Sequence, residues 1–475
     1  MKGTVWAVTD TCKNSASYKG VMELATIESQ TFETHTFHEN LSFGITLGSE
    51  RERSIFQFNE DRFRHTAIIG RTGSGKSNQL LQMEREDIRN GAGIAIIAAH
   101  EEDALYLLMC VPEERMGDVV LIDPTNTRLL PCVNPLDVDK RDRAAVSKTV
   151  SDCIGLLKCN CFHEYAGPRF DAMTRLGIET MLDPGFPDEP HLGLLEKLFS
   201  DPDYIRTFVG ELSDKRLYDQ WMLEAKTRRS SDADDRVSWF LAKVAPFEGD
   251  RVLRSMFGPG KRTIDVKRIV DEGKILVAYI PEGRIGHEAA SILRTWITGE
   301  LKDAILSRGA SSGGTYWGIC GGSTERREPE PFFIYIDEFA EHASEDFADL
   351  LAEARKYRVG FVLAFQTLAQ MRTFNLHTGY ENDRLLSAVL GNVGTMICYP
   401  VGGSDVQVVA AQFNRDPDEI ARIARYRPLA QVCWDNEPRI CTLEVPEKPA
   451  GDNPKMPKWI AEEQIIRNIW LPTRK

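Results

Sequence analysis

No stretch of this 475-residue chain approaches the roughly 18 consecutive apolar residues that a helix needs to cross a bilayer, so the sequence offers no membrane span. The first residues, Met1-Lys2-Gly3-Thr4-Val5-Trp6, lack the apolar core of a secretion signal. Positive charge is in deficit: 58 Lys and Arg stand against 71 Asp and Glu, a formal net charge of −13. That balance argues against a simple basic protein that coats nucleic acid, but not against a ring that hides a basic lining inside an acidic exterior. Cysteine is sparse, 10 residues scattered along the chain, which suits reduced cytoplasmic thiols better than a disulfide frame. No internal repeat is evident. What remains is an ordinary globular composition, 42% hydrophobic and 27% charged, long enough for one large domain or two to three of common size. The expected compartment is the cytoplasm.

Residues 1–60 mix Thr, Ser and aromatics in short runs, such as Gly20-Val21-Met22-Glu23-Leu24-Ala25-Thr26-Ile27, and read as a small β-rich cap. From His65 the pattern sharpens. Thr66-Ala67-Ile68-Ile69 is an apolar run ending in glycine, and residues 77–90 carry Leu80, Leu81, Met83 and Ile88 at helical spacing, closed by Gly91. Further buried strands are expected at 94–99, 119–122, 275–280, 332–336, 361–365 and 395–399. Between them lie amphipathic helices. One carries Ala289, Ile292, Leu293, Trp296, Ile297, Leu301, Ala304 and Ile305 on one side; another has Phe347, Leu350, Leu351 and Ala354 behind a Ser344 cap. A third opens at Asp416-Pro417, with Glu419 completing a capping box. Continuous apolar strands alternating with helices predict an α/β fold with a mainly parallel sheet covered on both faces. Residues 140–255 break the rhythm and read as helices only, an all-α insertion between two strands. Residues 308–330 are rich in Gly, Ser, Pro and charge, with little to bury, and read as a mobile loop.

The decisive motif is Gly70-Arg71-Thr72-Gly73-Ser74-Gly75-Lys76-Ser77, a full GxxxxGK[ST] with an apolar strand before it and an amphipathic helix after it. Glycines let the backbone turn tightly and turn N–H groups toward phosphate oxygens, and the helix N-terminus adds its positive dipole end. Lys76 is the expected contact to the β- and γ-phosphates of ATP, and the Ser77 hydroxyl the expected ligand of Mg²⁺. A chance glycine turn is the poorer account, because the context matches too. A second motif, Phe332-Phe333-Ile334-Tyr335-Ile336-Asp337-Glu338, ends an apolar strand in two carboxylates. Asp337 is expected to hold Mg²⁺ through water, and Glu338 to orient and deprotonate the attacking water. Gln366, at the end of another apolar strand, is a candidate sensor of the γ-phosphate. Arg355 is a candidate arginine finger acting on a neighbour's nucleotide; a plain surface arginine in the run Arg355-Lys356-Tyr357-Arg358 is an equally good reading.

Taken together, Asp337-Glu338-Phe339, Glu353-Ala354-Arg355-Lys356-Tyr357, the strand ending in Gln366, Gly391-Asn392-Val393-Gly394-Thr395 and Asp405 resemble the hexameric DNA-pumping ATPases of the HerA/FtsK type. Within that group the chain looks most like the coupling ATPases of conjugative type IV secretion systems, the TraD/TraG group, from about residue 41 to about residue 445. The helical insertion matches in position, starting near Gly167-Pro168-Arg169. Family members commonly carry Asp-Pro-His-Gly or Asp-Pro-Lys-Gly where this chain has Ala98-Ala99-His100-Glu101, and coupling proteins usually have an N-terminal membrane anchor. The resemblance implies a RecA-like P-loop core, a hexameric ring of identical subunits, nucleotide at subunit interfaces, Arg355 acting in trans and DNA in a central channel. It implies a DNA translocase driven by ATP and Mg²⁺, with a secretion-channel or relaxase partner. The other readings are a HerA-like motor serving a nuclease or defence partner, and an assembly ATPase that moves no DNA. The expected organisation is a cap at 1–60, a nucleotide-binding core at 61–139 and 256–448 interrupted by the insertion at 140–255, and a tail at 449–475.

Three further features stand outside these motifs. Cys153, Cys159, Cys161 and His163 invite zinc, but their spacing lacks a clean CxxC pair, so neutral thiols are expected. The basic pairs Arg228-Arg229 and Arg326-Arg327 read first as solvated loop charge and second as phosphate contacts. Tyr316 and Trp317 are candidates for stacking on bases.

Overall fold

The computed structural model describes residues 44–50, 53–126, 130–158, 167–227, 231–311, 329–341, 345–375, 380–434 and 437–467. Most of the expected cap at 1–60 lies outside them. The strands are β1 (Gly44–Glu50), β2 (Arg53–Phe58), β3 (Thr66–Ile69), β4 (Gly93–Ala98), β5 (Val119–Ile122), β6 (Ile275–Tyr279), β7 (Phe332–Ile336), β8 (Val359–Phe365), β9 (Thr373–Asn375), β10 (Tyr380–Asn382), β11 (Thr395–Cys398), β12 (Leu429–Trp434) and β13 (Glu437–Thr442). The chain divides into two compact units, one of residues 1–92 and 343–450 and one of 93–342 and 451–475. Among the described residues, no helix is long and apolar enough to cross a membrane.

In the first unit β3 runs parallel to β11 on one side and to β8 on the other. All four residues of β3 and all seven of β8 are buried, which explains their continuous apolar sequence. β12 is antiparallel to β11, and β13 antiparallel to β12. These last two strands were not anticipated: β12 alternates buried and half-buried residues, and β13 is almost wholly exposed, so neither carries a continuous apolar run. The helix Lys76–Arg89 buries Leu80, Leu81, Met83 and Ile88, as the spacing predicts. It is tied to the β1–β2 hairpin through Glu86, which accepts from Thr46 N–H (2.6 Å), and through Gln79 Nε2, which donates to Leu47 O (3.0 Å). The buried guanidinium of Arg62 forks onto both oxygens of Asp87 at 2.7 and 2.6 Å, a bidentate ion pair that locks the same helix to the turn before β3. Asp416 caps the helix Pro417–Ala421 by accepting from Asp418 N–H (2.8 Å), while the carboxylate of Glu419 lies 3.8 Å from Arg415.

The second unit holds β7, β4, β6 and β5 as parallel neighbours in that order. Between β5 and β6 the described residues from Arg143 to Phe257 carry helices joined by turns, and no strand. These helices have an aromatic core of their own, with Phe199 packed on Trp221 and Phe240, Phe240 on Phe170, and Trp221 Nε1 donating to Thr180 Oγ1 (2.9 Å). The helix His287–Ser311 buries the predicted face from Ala289 to Ile305 and continues past it. Arg308 therefore belongs to this helix and not to a loop: its guanidinium is buried, donating to Val270 O and to Glu330 O (3.1 Å), with Asp271 at 3.6 Å. The composition of 308–330 hid this, because a single long side chain satisfies the carbonyls. The segment after 449 carries a helix, Met456–Arg467, whose Gln464 amide accepts from Leu121 N–H (2.7 Å) and donates to Leu121 O (3.3 Å). The amide thus pairs the outer edge of β5 as another strand would.

Candidate functional site

In the first unit, the loop from Gly70 to Gly75 turns β3 into the helix Lys76–Arg89. Gly70 is required by space, since a Cβ there would overlap the Cβ of Tyr399. Gly75 is required by conformation as well, at φ +116° with ring atoms of Tyr399 and Tyr426 each 3.0 Å from the place of its missing Cβ. Backbone bonds hold the loop on three sides. Gly70 N–H donates to Phe365 O (3.3 Å), Arg71 N–H to Pro400 O (3.0 Å), and Tyr426 N–H to Ser74 O (3.2 Å). The buried Lys76 ammonium donates back to Gly70 O (2.7 Å) and Arg71 O (3.4 Å). Ser77, in the first turn, is exposed. Ser74 Oγ is buried with no hydrogen-bond partner among the described residues. A glycine cradle at a helix N-terminus, one ammonium, one orphaned hydroxyl and one exposed hydroxyl are donors that fit a polyphosphate and its hard cation.

Gln366 follows β8, and its Oε1 accepts from Thr72 Oγ1 at 2.9 Å, so this candidate sensor does meet the loop. The residues after it are fixed by Asp405, buried, whose carboxylate accepts from Leu368 N–H (3.2 Å). Sequence reasoning singled out Asp405 only through the family pattern and missed Tyr399, Pro400 and Tyr426, which have no motif of their own. It also missed a strap across the start of the helix: Asn78 donates to Pro446 O (2.8 Å) and accepts from Lys448 N–H (2.8 Å).

Asp337 and Glu338 belong to the other unit, where β7 is buried along its whole length and delivers both carboxylates half-buried at its end. Glu338 N–H donates to Asp337 Oδ1 (2.9 Å), and Glu338 sits in the left-handed region at φ +51°. A non-glycine residue held in that conformation carries strain that its surroundings must offset, and the next residue, Phe339, is fully buried.

Arg355 follows the helix Glu345–Ala354 and is exposed, with no ion pair among the described residues. Its neighbour Arg358 pairs with Glu60 (3.1 Å) and lies over the Phe63 ring (5.4 Å). The helix end is pinned by His65, buried at φ +63°, whose Nε2–H donates to Leu351 O (2.8 Å) and whose Nδ1 accepts from Phe361 N–H (3.1 Å). Burial, with a further push from Arg355, drives its pKa down from 6.5 to about 4 against the pull of the Leu351 carbonyl. The folded state therefore binds fewer protons than the unfolded chain between these two values. Stability from a neutral His65 is complete above pH 6.5 and lost as pH falls toward 4, by about 3 kcal/mol. His65→Asn, which tolerates positive φ, should flatten this part of the pH dependence in urea unfolding; identical slopes in the two proteins would sink the assignment.

Ser344, Cys159, Cys161, His163, Arg228, Arg229, Tyr316, Trp317, Arg326 and Arg327 lie outside the described residues. Cys153 is buried, and burial pushes its thiol pKa far up, away from the thiolate that zinc requires. Among the described residues no three His, Cys, Asp or Glu side chains are grouped to hold a metal ion.

No protein-family model matches the chain. It is 22% identical over 393 residues, 69% of this chain and 47% of the relative, to the type 4 coupling protein DotL of Legionella pneumophila. The chain thus spans about half the length of that relative. Its fold is similar to that of plasmid coupling protein TrwB, solved in complex with ADP and Mg²⁺, at a TM-score of 0.56 and 13% identity over 89% of this chain and 95% of that one. It is also similar to VirB4 of Thermoanaerobacter pseudethanolicus, at a TM-score of 0.52 and 14% identity over 86% of this chain and 97% of that one. At these identities the structural likeness is one of fold, and it gives the RecA-like α/β class. The resemblance to the coupling ATPases read from the motifs is borne out in sequence and in fold.

Proposed function

We propose that this chain is the motor subunit of a type IV coupling ATPase, which hydrolyses ATP with Mg²⁺ and uses the cycle to move DNA. The observation that carries the reading is the phosphate loop, seated between a buried strand and a helix with Lys76 inside it and Gln366 bonded to Thr72. Similarity to DotL and TrwB along most of the chain favours the coupling class over other P-loop enzymes. Lys76 binds the β- and γ-phosphates. Ser77 and Asp337 are the Mg²⁺ ligands, and the ion supplies charge neutralisation on the phosphates when bound. Glu338 takes a proton from the attacking water, and Gln366 reads the terminal phosphate. Arg355 serves the nucleotide of a neighbouring subunit in a homo-oligomeric ring, expected to be a hexamer. The channel or enzyme with which the ring works in the cytoplasm is a secretion-channel component, a relaxase or a nuclease.

The test is the ATPase rate with and without single- and double-stranded DNA, beside a mass measurement. DNA should raise the rate of an oligomer several-fold. Turnover that ignores both forms of DNA would leave an assembly ATPase as the better reading; no turnover at all would remove the motor.

A further inference from the structure

Tyr426 is the one exposed aromatic side chain described at the phosphate loop, and nothing in the proposed chemistry uses it. Its backbone is held in the left-handed region at φ +60°, and its N–H donates to Ser74 O (3.2 Å). One edge of its ring lies 3.0 Å from the place where Gly75 lacks a Cβ, yet the residue stays 56% exposed. Tyr399, against the same glycine, is fully buried. Of the two rings, Tyr399 fills space and Tyr426 offers a face to solvent. A strained backbone that holds a large apolar ring in water beside a binding loop is a combination found at functional sites, where the surroundings over-determine it.

The strand order says which part of a nucleotide that face meets. β3, which feeds the loop, has β8 on one side and β11 on the other. The Thr72–Gln366 bond marks the β8 side as the end where a terminal phosphate is read. A nucleotide lying along the loop must then extend its other end, the nucleoside, toward β11. Tyr426 lies just before β12, the antiparallel neighbour of β11. We propose that Tyr426 is the base platform of the nucleotide site: the heterocycle stacks on its exposed face, while the backbone bond to Ser74 keeps platform and phosphate cradle in register. This rests on the phosphate-loop reading above and adds to it a base-contacting residue that takes any flat nucleobase, with purines favoured by stacking area.

The experiment is calorimetric binding of MgADP and of magnesium pyrophosphate to the full chain, for the wild type, Tyr426→Asn and Tyr426→Phe. Asparagine accepts the left-handed backbone and removes the ring; phenylalanine keeps the stacking face. Tyr426→Asn should weaken ADP by about 10- to 100-fold while pyrophosphate binds within about twofold of wild type, and Tyr426→Phe should bind ADP as wild type does. ADP affinity unchanged in Tyr426→Asn would overturn the proposal. So would an equal loss for both ligands, which would mean that the ring only props the loop. A wild type that binds neither ligand would instead remove the phosphate-loop reading underneath.

Discussion

Lys76→Ala should abolish ATP hydrolysis and weaken nucleotide binding by about tenfold or more. The ammonium is buried inside the loop, on the carbonyls of Gly70 and Arg71 at 2.7 and 3.4 Å, and it is the only cation there aimed inward. Arg71, exposed, packs instead against Gly402, where a Cβ would overlap the guanidinium. No other side chain of the loop can supply positive charge to a terminal phosphate, so the loss is not made good by a neighbour. The transition state gathers charge on the γ-phosphoryl oxygens, which is why turnover suffers more than affinity. The variant should fold, because alanine keeps helical propensity at the first helical position. A thermal unfolding midpoint close to wild type, together with lost turnover, is the expected pair of results. Near wild-type turnover would mean that residues 70–77 are not the catalytic phosphate site.

Much of this site was readable because its chemistry is local. Between Gly70 and Ser77 the residue types, their spacing, the strand before and the helix after are all contiguous, and the structure repeats them within a residue. Buried parallel strands were legible for the same reason: β3, β4, β7 and β8 are buried along their whole length, and almost every residue in them is apolar. What was not legible is what the loop touches across long stretches of chain. Tyr399 and Pro400 come from the end of β11, Tyr426 from the turn before β12, and Pro446 and Lys448 from the strap on Asn78. Each acts through a backbone group or a ring face, so side-chain identity carries almost no signal. The left-handed backbones at His65, Glu338 and Tyr426 were equally hidden, because a residue with a Cβ gives no warning of positive φ. The antiparallel strands β12 and β13 fared worst. β13 reads Glu-Pro-Arg-Ile-Cys-Thr and is exposed along most of its length, so neither alternation nor a hydrophobic run marks it.

Arg355→Ala should leave nucleotide binding by the isolated subunit intact and lower turnover by ~10³-fold or more, the size of the loss when a trans-acting arginine is removed from a phosphoryl-transfer site. The geometry bears on which of its two readings holds. Phe347, Leu350, Leu351 and Ala354 are buried, and His65 clamps Leu351, so the helix that ends before Arg355 has little freedom. Arg358 is spent on Glu60, and Arg384 pairs with Asp349 at 2.8 Å, whereas Arg355 is exposed with no ion pair among the described residues. A rigid mount for an uncommitted guanidinium is what an arginine serving another subunit needs; a merely solvated arginine needs no mount. Mixing provides the sharper measurement. Arg355→Ala and Lys76→Ala rings, each inactive alone, are combined under conditions where subunits exchange, with native mass spectrometry to follow the mixed species. Some interfaces then join an intact loop from one subunit to an intact arginine from the next, and part of the activity should return. Full turnover by Arg355→Ala alone would hand the position back to the plain reading, a surface arginine at a helix end. Failure to bind nucleotide in that variant would also count against a finger, because a residue acting only on the neighbour's phosphates has no part in the isolated subunit's own affinity.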